Sequence, residues 1–259
     1  MKILLVNPSY RDVYRTFDFV LPPLGLAYMA AFLSESDYEV SIVDLNVAED
    51  KQSIPDDNWD LVGITLDTSR YYKGMDYARM LKSRGVRVVV GGPHASFMAE
   101  EILGSGAADY VVRGEGEHAM LELAEALSQG DNLEQIKGLS YRLDNEVIHN
   151  ADRTYSDDLD TLPFPARNLL NMDKYRTSKF GTRSITSILT SRGCPYQCSF
   201  CASSKLAGTF WRARSVESII EEIQFVKDTY GYRAFAFVDD NFTLNPQRVT
   251  ELCEEITDV

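Results

Sequence analysis

Short apolar runs that alternate with helical patterns constrain the first half of this 259-residue chain most strongly. Each run is apolar throughout, whereas a strand with one face in water alternates apolar and polar residues. Such strands, separated by helices, are typical of a parallel sheet covered on both faces. The predicted strands span residues 2–6, 38–45, 61–66, 86–90 and 110–112. We therefore predict an α/β fold in which residues 1–135 form a Rossmann-like, doubly wound parallel sheet of five strands.

Helical patterns occupy the intervals between these strands. They cover residues 21–33, 75–82, 96–103 and 119–127. In sheets of this kind, ligands bind in a crevice at the carboxyl ends of the strands. The candidate ligand contacts therefore lie at residues 7–10, 65–69, 91–96 and 113–117, which follow four of the strands.

Residues 136–183 read as a hairpin followed by a linker. Two β-prone runs within residues 138–149 flank Asp144 and Asn145, a pair that tolerates the positive φ of a tight turn. Residues 151–167 are acidic and rich in proline, which favours a solvated connection over the surface.

A second strand–helix pattern occupies residues 184–259. We predict strands at 184–190 and 234–238, a helix at 215–230 with Ser215 as its N-cap, and a last helix starting at Pro246.

Three cysteines stand close together at the end of the first of these strands. Cys194, Cys198 and Cys201 have the spacing C-x3-C-x2-C within the sequence SRGCPYQCSFC. Thiolates select zinc, copper(I) or iron–sulfur clusters. Structural zinc requires four ligands, and no second local pair is present, whereas three thiolates on a four-iron cluster leave one iron open to a ligand. A cluster is the favoured interpretation, with a zinc site, a disulfide pair or buried packing cysteines as alternatives. Cys253, far downstream, reads as a packing cysteine.

The charge and hydropathy of the chain exclude some functions. A net charge of −13 argues against a nonspecific nucleic-acid binder. No apolar run approaches the length of a membrane span, and the N-terminus lacks the apolar region of a signal peptide. Clustered thiols fit a reduced, cytoplasmic protein.

The cysteine sequence at the end of a strand closely resembles the cluster loop of the radical S-adenosylmethionine (SAM) enzymes, including the aromatic Phe200 before the last cysteine. The resemblance implies that Cys194, Cys198 and Cys201 hold a [4Fe–4S] cluster whose open iron binds SAM. Reduction of the cluster would then cleave SAM to a 5′-deoxyadenosyl radical. It also implies that Phe200, Asp239 and Asp240 lie near the bound SAM. Asp239 and Asp240 have an equally acceptable interpretation as capping acids of the helix that starts at Pro246.

Several segments of the N-terminal half are similar to the cobalamin-binding domain of cobalamin-dependent radical SAM enzymes: KILLVNPSY, PPLGLAYMAAFL, LVGIT, VVVGGPHAS and VVRGEGE, with PFPARNLL before the second unit. Small residues at strand ends let a ligand approach the backbone, which a nucleotide tail would require. By itself, Gly91-Gly92-Pro93 reads as a strand stop, and only the combination favours a cofactor. The implied cobalamin contacts are Ser9, Tyr10, Thr65, Leu66, Gly91, Gly92, Gly114 and Glu115.

The three histidines depart from the D-x-H-x-x-G pattern of many cobalamin domains. His94, His118 and His149 each lack an aspartate two residues earlier. We therefore expect no histidine below the cobalt, and either water or a residue of the loop at 9–14 in its place.

The resemblance implies a partial barrel of about six strand–helix units, a relative of the eightfold barrel, of which residues 184–259 supply about two. We therefore expect a fragment of a longer enzyme, with the activity belonging to the whole enzyme and not to this chain alone. The expected activity is reductive SAM cleavage, with methyl transfer or related radical chemistry on an unknown small molecule or peptide and an external flavodoxin- or ferredoxin-type electron donor. The alternatives are a non-catalytic cofactor-binding protein and a zinc-stabilised scaffold.

Overall fold

A computed structural model describes residues 1–9, 20–48, 54–175 and 185–257 of the chain. The first part of the chain alternates strands and helices, as the apolar runs predict. Its elements are β1 Lys2–Asn7, α1 Leu24–Ser34, β2 Glu39–Asp44, β3 Leu61–Thr65, α2 Tyr71–Ser83, β4 Arg87–Gly91, α3 Pro93–Phe97, α4 Ala99–Gly104, β5 Tyr110–Val112, α5 Glu117–Gln129, β6 Leu139–Leu143 and β7 Glu146–His149.

These strands form one seven-stranded sheet in the order β2-β1-β3-β4-β5-β6-β7. The first five run parallel, so their carboxyl ends meet at one edge. Helices α1 and α5 pack on one face, through side chains such as Leu26 and Leu123, while α2 and α4 pack on the other, through Met75 and Ile102. Both faces are buried, which explains why the strands carry continuous apolar sequences. The predicted α/β class and mostly parallel sheet are confirmed.

The predicted hairpin extends this sheet beyond the five expected strands. Asp144 and Asn145 form its turn with φ of 49° and 70°. Strand β6 pairs antiparallel with β5, placing Tyr141 opposite Tyr110. The local pattern predicts the hairpin but not its partner, because nothing in residues 139–149 specifies which sheet edge it joins.

Three helix predictions differ from the structure by more than two residues. One is α2, which begins at Tyr71 rather than at residue 75. The first helix begins at Leu24, after both prolines, rather than at residue 21. The helix predicted at 96–103 is two shorter ones, since the backbone leaves helical geometry at Met98, with φ of −120° and ψ of 29°.

The second part of the chain contains β8 Ile185–Ile188, β9 Ser191–Arg192, α6 Ser203–Leu206, β10 Arg212–Ala213, α7 Val216–Tyr230, β11 Ala234–Phe237 and α8 Pro246–Thr257. Strands β8 and β11 pair in parallel and are joined through α7. The Ser215 hydroxyl accepts a hydrogen bond from the Ser218 N–H, which confirms the predicted N-cap. None of the helices in the described ranges is long and apolar enough to cross a membrane.

Residues 151–167, predicted as a solvated linker, are mostly exposed or half-buried, but the chain is anchored in the core at Arg167 and in the segment that follows. Leu170 and Tyr175 are buried against Ala27 of α1 and Val226 of α7. Arg167 is 1% exposed, and its guanidinium lies 2.7 Å from Glu222 of α7. The acidic, proline-rich composition does not reveal this anchoring, because a few side chains of the segment are buried in a core that other elements build.

Candidate active site

A cavity of about 370 Å³ opens at the carboxyl ends of the parallel strands, between the sheet and the second part of the chain. Apolar side chains of α1 and α5, such as Met29 and Met120, form one wall. Leu206 and Ala207, which follow the cysteine loop, form another. Six glycines line the cavity: Gly25, Gly63, Gly91, Gly92, Gly114 and Gly116.

Several of these glycines pack so closely against their neighbours that even a Cβ atom would force a shift. A Cβ atom on Gly63 would stand 2.9 Å from Leu5 Cδ2, and one on Gly116 would stand 2.8 Å from Met29 Cε. Gly92 has φ of 93°, and its Cβ would stand 2.8 Å from the Thr65 hydroxyl oxygen. At these positions the backbone itself therefore borders the narrow, mostly apolar slot, because no side chain stands between them.

A second cavity, of about 740 Å³, adjoins the first at Gly25, Leu26 and Thr65, which line both. Its wall is more polar and includes Asn7 at the end of β1 and Arg70 in the turn after β3. The slot therefore opens into a wider space at the same edge of the sheet.

The three clustered cysteines lie on the loop that leaves β9 and ends at α6. The loop is pinned at its start, where the Cys194 N–H donates to the Gly208 carbonyl at 3.1 Å. Gly193 has φ of 85°, and its Cβ would stand 2.4 Å from the Phe210 carbonyl oxygen, so only glycine fits there. All four cysteines of the chain lie in the described residues and carry free thiols.

The thiols of this loop are accessible. Cys198 is exposed, and Cys194 and Cys201 are half-buried. The hydroxyl and the backbone N–H of Ser203 lower the pKa of the Cys201 thiol, and Ser203 Oγ lies 3.4 Å from its sulfur. Within the described ranges, no three His, Cys, Asp or Glu side chains are gathered closely enough to hold a metal ion. The three thiols are thus ligands of the right type on one loop, but their sulfur atoms are not already gathered around a common metal position.

The aspartates after β11 hold different positions. Asp239 accepts hydrogen bonds from the Thr190 N–H at 2.7 Å and from the Ser191 hydroxyl at 2.8 Å, and the Thr190 hydroxyl also donates to it. It therefore fixes the strand end from which the cysteine loop departs. Asp240 is exposed. The capping interpretation of these two residues is wrong, because Asn245 accepts the hydrogen bond from the Arg248 N–H at the start of α8.

Ion pairs join the sheet to the base of the cysteine loop. Arg212 donates to both carboxylate oxygens of Glu115, at 2.7 and 3.1 Å, and Arg192 donates to Glu117 at 2.7 Å. Burial alone would raise the pKa of Glu117, but the charge and hydrogen bond of Arg192 outweigh it and hold that pKa below its ordinary value. These glutamates belong to the turn that also lines the cavity.

Two family models match the two parts of the chain: one described as the B12 binding domain over residues 10–124, and one described as the radical SAM superfamily over residues 188–258. An uncharacterized methyltransferase of Pyrococcus horikoshii is 40% identical over 97% of this chain and 56% of its own length. The hopanoid C-3 methylase of Methylococcus capsulatus is 34% identical over 99% of this chain and 49% of its own length. The chain belongs to the cobalamin-dependent radical SAM enzymes.

A solved structure of the same family has the same fold. The radical SAM methyltransferase TsrM from Kitasatospora setae, with cobalamin and a [4Fe–4S] cluster bound, superposes with a TM-score of 0.76 at 22% identity, over 99% of this chain and 51% of that one. The chain therefore spans about half the length of the relatives it matches. The family assignment confirms the prediction of cobalamin, a [4Fe–4S] cluster and SAM as cofactors at the level of the family.

The contacts predicted for cobalamin in this radical SAM protein divide into three groups. Thr65, Gly91, Gly92, Gly114 and Glu115 all line the 370 Å³ cavity. Leu66 is fully buried in the core on the α2 face and does not line the cavity. Ser9 is half-buried at the end of β1, and Tyr10 lies outside the described residues, as does most of the loop at 9–14.

Sequence reasoning missed several residues that line the cavity. Gly63 interrupts an otherwise apolar strand, and a lone glycine in a strand signals close backbone approach, so that signal was available. Arg192 gave no comparable signal, because its partners Glu115 and Glu117 are about 75 positions away in the sequence.

Proposed function

We propose that this chain is the cofactor-binding part of an enzyme that cleaves SAM reductively and transfers a methyl group with the help of cobalamin. One observation carries the proposal: the glycine-lined cavity and the three-cysteine loop share a wall. Arg192 precedes Cys194 by two residues and lines the cavity, and Leu206 and Ala207 line it just beyond Cys201. A ligand in the slot and a cluster on the loop would therefore be neighbours.

The shape of the cavities supports the cobalamin assignment. The slot between Gly63, Gly92 and Gly116 suits the narrow nucleotide tail of cobalamin, and the adjoining 740 Å³ cavity leaves room for its wider ring. Thr65, Gly91, Gly92, Gly114 and Glu115 are the residues we assign to this ligand, together with Ser9 and with Tyr10, which lies outside the described residues. We do not extend the assignment to Leu66, whose side chain packs in the core.

The cluster assignment is supported by donor chemistry. Three free thiols on one loop match a four-iron cluster with an open iron, and metal binding commonly completes a site that is not preformed. Phe200 is 91% exposed next to Cys201, and Asp240 is exposed after β11, so both are free to contact SAM. Asp239 would not contact SAM itself but would support the site by holding Thr190 and Ser191 in place.

The second part of the chain fits the beginning of a partial barrel. Strands β8 and β11 are parallel neighbours joined by α7, and α8 follows β11, as in successive strand–helix units. The cysteine loop leaves β9 just beyond the carboxyl end of β8, which is where barrel enzymes carry their chemistry.

Bound cofactors would supply the electron that cleaves SAM and the methyl group that is transferred. This chain's own residues would bind and orient them: the thiols hold the cluster, and apolar walls including Met29 and Met120 exclude water from the slot. The enzyme would take its electron from an external flavodoxin- or ferredoxin-type donor and act on a small molecule or peptide in the cytoplasm, not on nucleic acid.

Anaerobic reconstitution with iron and sulfide tests the proposal. We expect a brown chain with about four irons, each of the three thiols being required. Cys198→Ala should lose the iron, whereas Cys253→Ala, which removes an exposed thiol on α8, should retain it. After reduction, the full-length enzyme to which this chain would belong should release 5′-deoxyadenosine from SAM.

Two other outcomes would favour the alternative functions. A colourless chain that retains stoichiometric zinc would contradict the proposal and favour a zinc-stabilised scaffold. A full-length protein that binds iron and cobalamin but never releases 5′-deoxyadenosine would favour a non-catalytic cofactor-binding protein.

A further inference from the structure

We propose that Glu115 and Glu117 are positioning residues that hold the cysteine loop against the cavity, so that the loop and the cavity's ligand stabilise each other. The proposal rests on the proposed function for the identity of the cluster and of the ligand. It concerns the turn from Gly114 to Glu117, which touches the cavity with its glycines and the loop with its carboxylates.

The two arginines held by this turn face each other across a short ribbon. Arg192 of β9 is directly paired with Arg212 of β10, and their side chains are only 11% and 1% exposed. Two guanidinium groups so close and so buried repel each other unless an anion lies between them. Glu115 supplies it, with one carboxylate oxygen 2.7 Å from Arg212 Nη2 and the other 3.7 Å from Arg192 Nη1.

Glu117 ties the same ribbon to the cavity wall. Its carboxylate accepts from Arg192 at 2.7 Å, and the Arg192 guanidinium lies 5.5 Å from the centre of the Tyr28 ring. Tyr28 and Arg192 both line the cavity. Each arginine thus has one glutamate at hydrogen-bonding distance, and the four charges sum to zero in a largely buried place.

The ribbon fixes both ends of the segment that carries the three cysteines. Cys194 is bonded through its N–H to the Gly208 carbonyl, and Arg212 donates to the Ala207 carbonyl at 2.8 Å. A shift of Arg192 or Arg212 would therefore move the start and the end of the loop together. Since Gly114 and Gly116 line the slot, a ligand seated there would hold the same turn in place.

Hydrogen exchange of the cofactor-free chain, read by mass spectrometry, tests the positioning directly. In Glu115→Gln, peptides covering residues 191–214 should exchange at least about tenfold faster, because the arginine pair loses its counter-charge. Peptides from β1 and β2 should keep the wild-type rate. Glu125→Gln is the matched control: it removes one negative charge from an exposed position on α5 and should change neither region.

The reconstituted cluster gives a second readout that a general loss of stability would not produce. In Glu117→Gln we expect an altered electron paramagnetic resonance spectrum of the reduced cluster at an unchanged iron content, and Glu117→Asp should restore much of the wild-type spectrum. If Glu115→Gln fails to fold, Glu117→Gln, which leaves Glu115 between the arginines, takes its place in the exchange experiment.

The positioning role is overturned if residues 191–214 exchange at the wild-type rate in both glutamine variants, or if β1 peptides accelerate equally. It is also overturned if the cluster spectrum of Glu117→Gln equals that of the wild type. Failure of the proposed function is a separate result: a wild-type chain that takes up neither iron nor cobalamin leaves the exchange comparison valid, because that comparison needs no cofactor.

Discussion

Gly63 is the residue at which a side chain would block the slot most directly. It lies in the middle of β3, lines the cavity, and a Cβ there would already stand 2.9 Å from Leu5 Cδ2. Gly63→Leu would place four carbons in the space assigned to the cobalamin tail. We expect it to weaken hydroxocobalamin binding at least about tenfold, which corresponds to about 1.4 kcal/mol. Absorbance titration of the purified chain measures the affinity.

The matched control for that change is Gly104→Leu. Gly104 ends α4, has no atom within 4 Å of its Cβ position, and does not line the cavity. It should bind hydroxocobalamin as the wild type does. Equal affinity of Gly63→Leu and the wild type would place the ligand elsewhere.

Among the elements, α7 depends on one buried carboxylate to join the linker to the second part of the chain. Glu222 is fully buried, with the guanidinium of Arg167 2.7 Å from one oxygen and Arg214 bonded to the other. Glu222→Gln would leave two buried arginines without a counter-charge. We expect it to lower the free energy of unfolding by about 3–5 kcal/mol, measured by urea unfolding of the cofactor-free chain.

Glu221→Gln removes the same charge from the adjacent, exposed position of α7. It should unfold at the wild-type urea concentration. If Glu222→Gln and Glu221→Gln unfold at the same urea concentration, the buried Arg167–Glu222–Arg214 network does not stabilise the fold in the way the contacts indicate.

The elements that the sequence predicts well are those whose signals are local. The strands at 2–6 and 110–112, the Asp144-Asn145 turn and the Ser215 cap each depend on a few adjacent residues, and all form as predicted. The anchoring of the linker at Arg167 was not predicted, because its partner Glu222 is 55 positions away on α7 and no local pattern in residues 151–167 specifies that contact. The prediction for Cys253 is also wrong. It was expected to pack in the core, but α8 buries Arg248 and Leu252 and leaves the Cys253 thiol exposed.

At the scale of the whole molecule, the sequence identified the two chemical halves of the site but not how they meet. Cysteine spacing and the glycines at the strand ends predicted the cluster loop and the cofactor crevice separately. Their shared wall depends on Glu115, Glu117, Arg192 and Arg212, whose pairing is a long-range consequence of folding. The arrangement places the two proposed cofactors on either side of one turn.

The most direct test of that arrangement is a comparison of electron paramagnetic resonance spectra. The chain would be loaded with the reduced cluster alone, with Co(II) cobalamin alone, and with both, the cobalt being kept as Co(II) in each case. Neighbouring paramagnetic centres broaden or split each other's signals, so we expect the spectrum of the doubly loaded chain to differ from the sum of the other two. A doubly loaded spectrum equal to that sum would contradict the shared wall.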